Sequence, residues 1–204
     1  MSATLQPIPE WSSRTLQGLA YWLGYQDAFG IADQLNEGAI ATEVMRLIVA
    51  HGHTPQAVEA EVYYKHVPET KVARRDESSG ARADLVVASA KREDRKEAFR
   101  RLQVSALVEV KHGRSQPGKI DEDLDRLSEN LAGARRSLRG FLVYAALTAH
   151  PRFVNAVGRA EQGIKRTKNG TRFRVRRVCR AVPGSPRPDR RCYAGYAVLV
   201  EVLR

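Results

Sequence analysis

The stretch Val104-Ser-Ala-Leu-Val-Glu109-Val-Lys111 constrains this chain more than any other, because it ends an apolar strand-like run with a carboxylate and an ammonium two residues apart. Side chains i and i+2 of a strand point to one face, so Glu109 and Lys111 are expected to emerge together. Upstream, Ala81-Arg-Ala-Asp84-Leu-Val-Val87 offers a second carboxylate at the mouth of another apolar strand. Two carboxylates and a lysine on neighbouring strands would make a hard-cation site with a proton-handling group beside it. The spacing alone is weak evidence, since Glu69-Thr-Lys71 and Asp94-Arg-Lys96 repeat it in a chain that is 28% charged. Neither of those ends an apolar run: the first follows Pro68, and the second lies within the charged stretch Lys91 to Arg101. The plain alternative for Glu109 and Lys111 is a strand end carrying solvated charges.

The surrounding pattern orders the elements. Asn36 reads as the N-cap of a helix whose apolar stripe is Ile40, Val44, Leu47 and Ile48, with Gly52 as its stop. At about 100° per residue Glu43 falls on the border of that stripe and is the first choice for a helix carboxylate looking toward a sheet. Glu37 projects to the same side but is explained by the helix dipole, and ranks second. Strand candidates follow at Ala57–Tyr64, Ala83–Ala88 and Val104–Val110. A helix is expected over Lys119–Leu131, with Ile120, Leu124, Leu127 and Leu131 in phase and four acids early in the segment, and then a buried strand over Arg139–Ala146. The order is α-β-β-β-α-β, an α/β core.

That order, with Asp84, Glu109-Val-Lys111 and a helical Glu43, resembles the PD-(D/E)XK nuclease superfamily, with Ala83 where a proline often precedes the aspartate. The phrase Gly38-Ala-Ile-Ala-Thr-Glu43, ending near His51-Gly52, is similar to the first helix of the Holliday-junction-resolvase branch. The resemblance covers roughly residues 36–146. It implies a restriction-endonuclease-like fold with a mixed central sheet flanked by helices, and a metal-dependent DNA endonuclease, restriction-type or junction-resolving. Asp84 and Glu109 would hold Mg²⁺, for which Mn²⁺ would substitute, together with the Val110 carbonyl and waters. Lys111 would orient or deprotonate the attacking water, and Glu43 would be an accessory ligand. A homodimer suits the cutting of both strands of a duplex.

Charge distribution is a separate line of argument. The formal net charge is +11, but residues 1–132 carry 17 basic and 20 acidic groups, whereas residues 133–204 carry 17 and 3. A basic excess confined to one end points to a polyanionic partner, which the resemblance implies is DNA, duplex or branched. Within it, Thr171 to Val178 alternates Arg172, Arg174 and Arg176 with Phe173 and Val175. A strand there would bury the apolar pair and present a row of guanidinium groups, the alternative being an edge strand protected by charge. Lys165, Arg166 and Lys168 fall in an exposed turn before it, a second phosphate-contact candidate. Cys192 to Leu203 reads as a returning strand with a break at Gly195, completing a basic C-terminal β-hairpin.

The chain is expected to be one nuclease-like domain: a helical extension over residues 1–35, a catalytic core over 36–146 and a basic elaboration over 147–204. The extension places Leu16, Leu19, Ala20 and Leu23 on one side, with Ser12 or Ser13 as cap. No apolar run is long enough to span a bilayer, and Met1 to Trp11 lacks the regions of a secretory signal, so a cytoplasmic protein is expected. Cys179 and Cys192 could meet across the hairpin or stay reduced, and no zinc pattern is visible. His112 is a candidate substrate contact. Two other function classes remain: a DNA-binding module that kept the fold without turnover, and a basic RNA-binding protein, for which the acid–lysine cluster has no obvious use.

Overall fold

The computed structural model describes residues 6–51, 56–67, 81–89, 103–148, 151–182 and 194–204. Helix α1 (Glu10–Ala28) begins behind Pro9, whose carbonyl accepts both the N–H and the Oγ–H of Ser12. The expected cap at Ser12 or Ser13 is therefore corrected. Pro9 supplies the extended entry, and Ser12 is buried inside the first turn. Helix α2 (Glu37–His51) does use Asn36, whose Oδ1 accepts the Ala39 N–H at 2.8 Å. Its expected stop, Gly52, lies outside the described residues.

The strands are β1 (Gln56–Tyr63), β2 (Arg82–Ser89), β3 (Gln103–His112), β4 (Arg139–Leu147), β5 (Lys165–Arg166), β6 (Arg172–Ala181) and β7 (Gly195–Val202). A 3-10 turn, Tyr64–His66, follows β1, and helix α3 (Pro117–Leu131) joins β3 to β4. They form one mixed seven-stranded sheet in the order β1-β2-β3-β4-β7-β6-β5. Only β3 and β4 are parallel, as a helical crossover requires; the other neighbours are antiparallel. The molecule is thus α/β, with helices on both faces of the sheet.

The expected C-terminal hairpin exists as β6 and β7, but it is not an appendage. β7 is buried along its whole length and pairs with β4 on one side and β6 on the other, so residues beyond 147 complete the central sheet. A strand buried on both faces needs a partner at each edge to satisfy its backbone. At Gly195, where a break was expected, β7 begins. A Cβ there would collide with the Ala20 carbonyl of α1, which explains the glycine.

One face of the sheet carries α1 and α2, with Leu85, Val87, Ala106, Val108, Val110, Phe141 and Val143 beneath them and Trp11 edge-on to Phe141 at 6.1 Å. The other carries α3 over Leu107, Leu142, Val198 and Val200, beside an edge-to-face chain of Tyr144, Phe153 and Phe173. Alternation along β3 then sends Glu109 and Lys111, like Leu107, toward α3. Among the described residues no helix is long and apolar enough to cross a membrane.

Candidate functional site

Asp84 on β2 and Glu109 on β3 are neighbours, since Leu85 pairs with Val108 in the antiparallel ladder. The Val110 N–H is bonded to Asp84 Oδ2 at 2.7 Å, tying the two strands together at this point. Glu109 is almost completely buried. Its Oε1 accepts the Tyr64 hydroxyl, and its Oε2 lies 3.3 Å from Arg126 Nη2. Arg126 also binds Asp123 on the preceding turn of α3. Lys111 Nζ donates to Glu37 Oε2 at 2.8 Å and forms an ion pair with the buried Asp123 Oδ2 at 3.0 Å. Glu37 Oε1 accepts the Ser115 hydroxyl at 2.6 Å. Tyr64, Glu109, Arg126, Asp123, Lys111, Glu37 and Ser115 therefore form a continuous chain of acceptors and donors where β3 passes into α3.

The carboxylates in this chain are in unlike states. Burial, and then the charge of Asp84, push Glu109 up to about 8, an increase that Arg126 and Tyr64 only partly offset. Burial also raises Asp84, against the Val110 N–H and Lys111. For Glu37 burial acts in the same sense, but the bonds from Lys111 and Ser115 prevail and hold it below the ordinary value. Burial works against the Lys111 charge, yet Glu37 and Asp123 more than reverse this and its pKa rises. Lys111 is firmly protonated here, while Glu109 sits near neutrality, where small changes in nearby charge decide its state.

Of the residues singled out from sequence, Asp84, Glu109, Val110 and Lys111 are brought together. Glu43 is not in contact with them: it is buried beside α2's own Arg46, which binds both its oxygens at 2.6 and 2.8 Å. The helix carboxylate that reaches Lys111 is Glu37, because the N-terminus of α2, not its middle, approaches the end of β3. His112 is buried, and burial together with Arg114 lowers its pKa. Sequence reasoning missed Tyr64, Asp123, Arg126 and Ser115. Asp123 carried a readable signal, since it lies three residues after Ile120 and four before Leu127, a charge in phase with a buried stripe. Tyr64 carried none.

Among the described residues no group of three or more His, Cys, Asp or Glu side chains is gathered to hold a metal ion. The donor chemistry nevertheless fits a hard divalent cation. Asp84 and Glu109 offer oxygen to one small region, and the single charge of Arg126, shared with Asp123, leaves them short of positive charge.

The basic residues divide between the two faces. Phe173 and Val175 are buried on the α3 side as expected, so Arg172 and Arg174 face the α1 and α2 side, opposite Glu109 and Lys111. Arg176 drops out of the expected row. It lies on the same α1 and α2 side, but its side chain is buried, bound to Glu201 and the Gln6 carbonyl, and so is not presented to solvent. Lys165 and Arg166 form β5, with Lys165 bound to Glu161. Lys168 is exposed on the turn that follows, and this turn is anchored to α3: Asp125 accepts the Thr167 hydroxyl at 2.6 Å and the Asn169 amide at 2.7 Å. Cys179 is a free thiol, and Cys192 lies outside the described residues.

Comparison with family models, curated proteins and solved structures finds no match to this chain. The site must be read from its own geometry.

Proposed function

We propose that this chain is a metal-dependent deoxyribonuclease of the PD-(D/E)XK, restriction-endonuclease-like type, hydrolysing phosphodiester bonds in duplex or branched DNA. The observation that carries the reading is the convergence of Asp84, Glu109 and Lys111 on the α3 face, near the carboxyl ends of the two parallel strands β3 and β4. Helical crossovers open crevices at that place in α/β sheets.

Asp84 and Glu109, with the Val110 carbonyl, are the groups that would hold Mg²⁺ or Mn²⁺. A bound ion would stabilise charge on the phosphoryl group and lower the pKa of a water nucleophile. Lys111, kept protonated by Glu37 and Asp123, is suited to orienting that water and steadying negative charge; acting as a base would require its release from both carboxylates. We assign the accessory helix role to Glu37 in place of Glu43, on its contact with Lys111. Arg114, exposed on the connection from β3 to α3, Lys119, exposed in the first turn of α3, and Lys168 are the proposed phosphate contacts on the α3 side, while Arg172 and Arg174 would meet DNA wrapped around the sheet edge. We further propose a two-fold homodimer for cutting both strands, which a monomeric, fully active species in sedimentation would remove.

A second reading, a DNA-binding module without turnover, draws on the same contacts: Lys111 and Glu109 each already have partners within the chain. Incubating linear duplex, four-way junction, single-stranded DNA and RNA with Mg²⁺ or Mn²⁺, and with EDTA as control, separates the two. Cleavage of DNA that EDTA abolishes supports the nuclease; binding without cleavage in either metal supports the module.

A further inference from the structure

Arg126 occupies the place where a cation is needed. It meets Glu109 Oε2 and the Tyr64 hydroxyl, makes no ion pair with Asp84 among the described residues, and is held beside Asp123 of the same helix at the i, i+3 spacing. We propose that Arg126 is a built-in placeholder: it holds the buried Glu109 while no metal is bound, and retreats onto Asp123 when a divalent cation takes Glu109 and Asp84. This inference rests on the nuclease reading above.

Three features of the geometry make the exchange physically reasonable. First, a guanidinium carries one positive charge against two neighbouring carboxylates, so it offsets Glu109 and leaves Asp84 with only the Val110 N–H and the field of Lys111; a dication matches the pair. Second, the Glu109 contact at 3.3 Å is looser than the one Arg126 makes with Asp123, and its side chain is 35% exposed, so water can meet the released guanidinium. Third, Asp123 keeps a partner throughout, because Lys111 stands on its other oxygen. Releasing Glu109 thus leaves neither the arginine nor Asp123 buried and unpaired, which would otherwise oppose metal entry. Arg126 acts through Glu109 and is a positioning residue, competing with metal for one carboxylate.

The test is Mn²⁺ affinity of the full chain, read from the free-ion electron paramagnetic resonance signal and independent of cleavage. Arg126→Gln should tighten Mn²⁺ binding by about tenfold, a figure kept modest because the guanidinium is partly solvent-screened. Arg126→Lys, which keeps a charge, should move affinity back toward the parent value. Loosened packing does not tighten a metal site, so a gain in affinity cannot come from mere destabilisation. Equal or weaker Mn²⁺ binding by folded Arg126→Gln, with binding by the parent abolished in Asp84→Asn and Glu109→Gln, would overturn the placeholder and leave the nuclease reading intact. Failure of the parent and of Arg126→Gln alike to bind Mn²⁺ would overturn both.

Discussion

Two buried glutamates on opposite faces of one sheet show how differently a protein can treat the same side chain. Glu201 on β7 is surrounded on the α1 and α2 side: Arg139 Nε donates to its Oε1 at 2.7 Å, Arg176 binds its Oε2, and both arginines extend onward to the carbonyls of Pro7 and Gln6 at 2.6 Å. Two cations serve one carboxylate, and the knot ties the segment before α1 to the sheet. Glu109, on the α3 side, has one arginine that it shares with Asp123, and it faces a second carboxylate. A saturated buried charge is architecture. An undersupplied one is the ground on which we propose the chemistry at Glu109.

The largest effects should divide along this line. Asp84→Asn, Glu109→Gln and Lys111→Met should each lower metal-dependent DNA cleavage by about a thousandfold, with circular dichroism and DNA affinity largely kept. Activity surviving in Glu109→Gln would erase the contrast. Glu201→Ala should do the reverse: it strands Arg139 and Arg176 and should cost about 3 kcal/mol in urea denaturation. Cleavage per folded molecule should be unchanged.

The same contrast has a pH signature. Glu109 titrates at an ordinary 4.5 when unfolded and at about 8 when folded, so between those values the native state holds a proton the unfolded chain has released. Its contribution therefore falls as pH rises through that window, the opposite of an ionised, salt-bridged carboxylate such as Glu37, whose lowered pKa makes stability fall only on acidification below about 4.5. Glu109→Gln should flatten the stability profile between pH 5 and 8 (about the span of the shift), as measured by thermal unfolding; an unaltered slope would mean that Arg126 and Tyr64 compensate Glu109 fully.

The smallest effects concern the basic surfaces. Alanine at Arg114, Lys119 and Lys168 should reduce the log–log salt slope of duplex binding by about 0.9 for each phosphate that is no longer neutralised. Arg172→Ala with Arg174→Ala should reduce it less, because those side chains look out from the other face. A larger drop in the second variant would reverse our choice of DNA-facing surface. Arg176→Ala should act on stability instead, through Glu201.

Local pattern made much of this molecule legible. The apolar alternation of β3 put Glu109 and Lys111 on one face, the stripe of α3 chose its buried side, and Asn36 marked where α2 begins, because each depends on neighbours within a few residues. The misreadings arose where distant segments meet. Glu43 and Glu37 project to the same side of one helix, and only the docking of α2's N-terminus against the end of β3 selects Glu37. Arg176 belongs to the alternating row in sequence, and only the presence of Glu201 on the neighbouring strand and of the Gln6 carbonyl beside it draws that side chain out of solvent.

Taken alone, the sequence determined the order of elements from α2 to β4, and which carboxylates and lysine would share the mouth of β2 and β3, since strand and helix periods are short-range steric facts. What supplies or withholds counter-charge at each buried carboxylate was decided only in three dimensions. Tyr64 and Arg126 reach Glu109 from a turn and a helix with no periodic relation to it, and Arg139 and Arg176 reach Glu201 from strands on either side of β7. Charge balance in a low-dielectric interior is a sum over whatever lies within a few ångströms, and no local pattern encodes that sum.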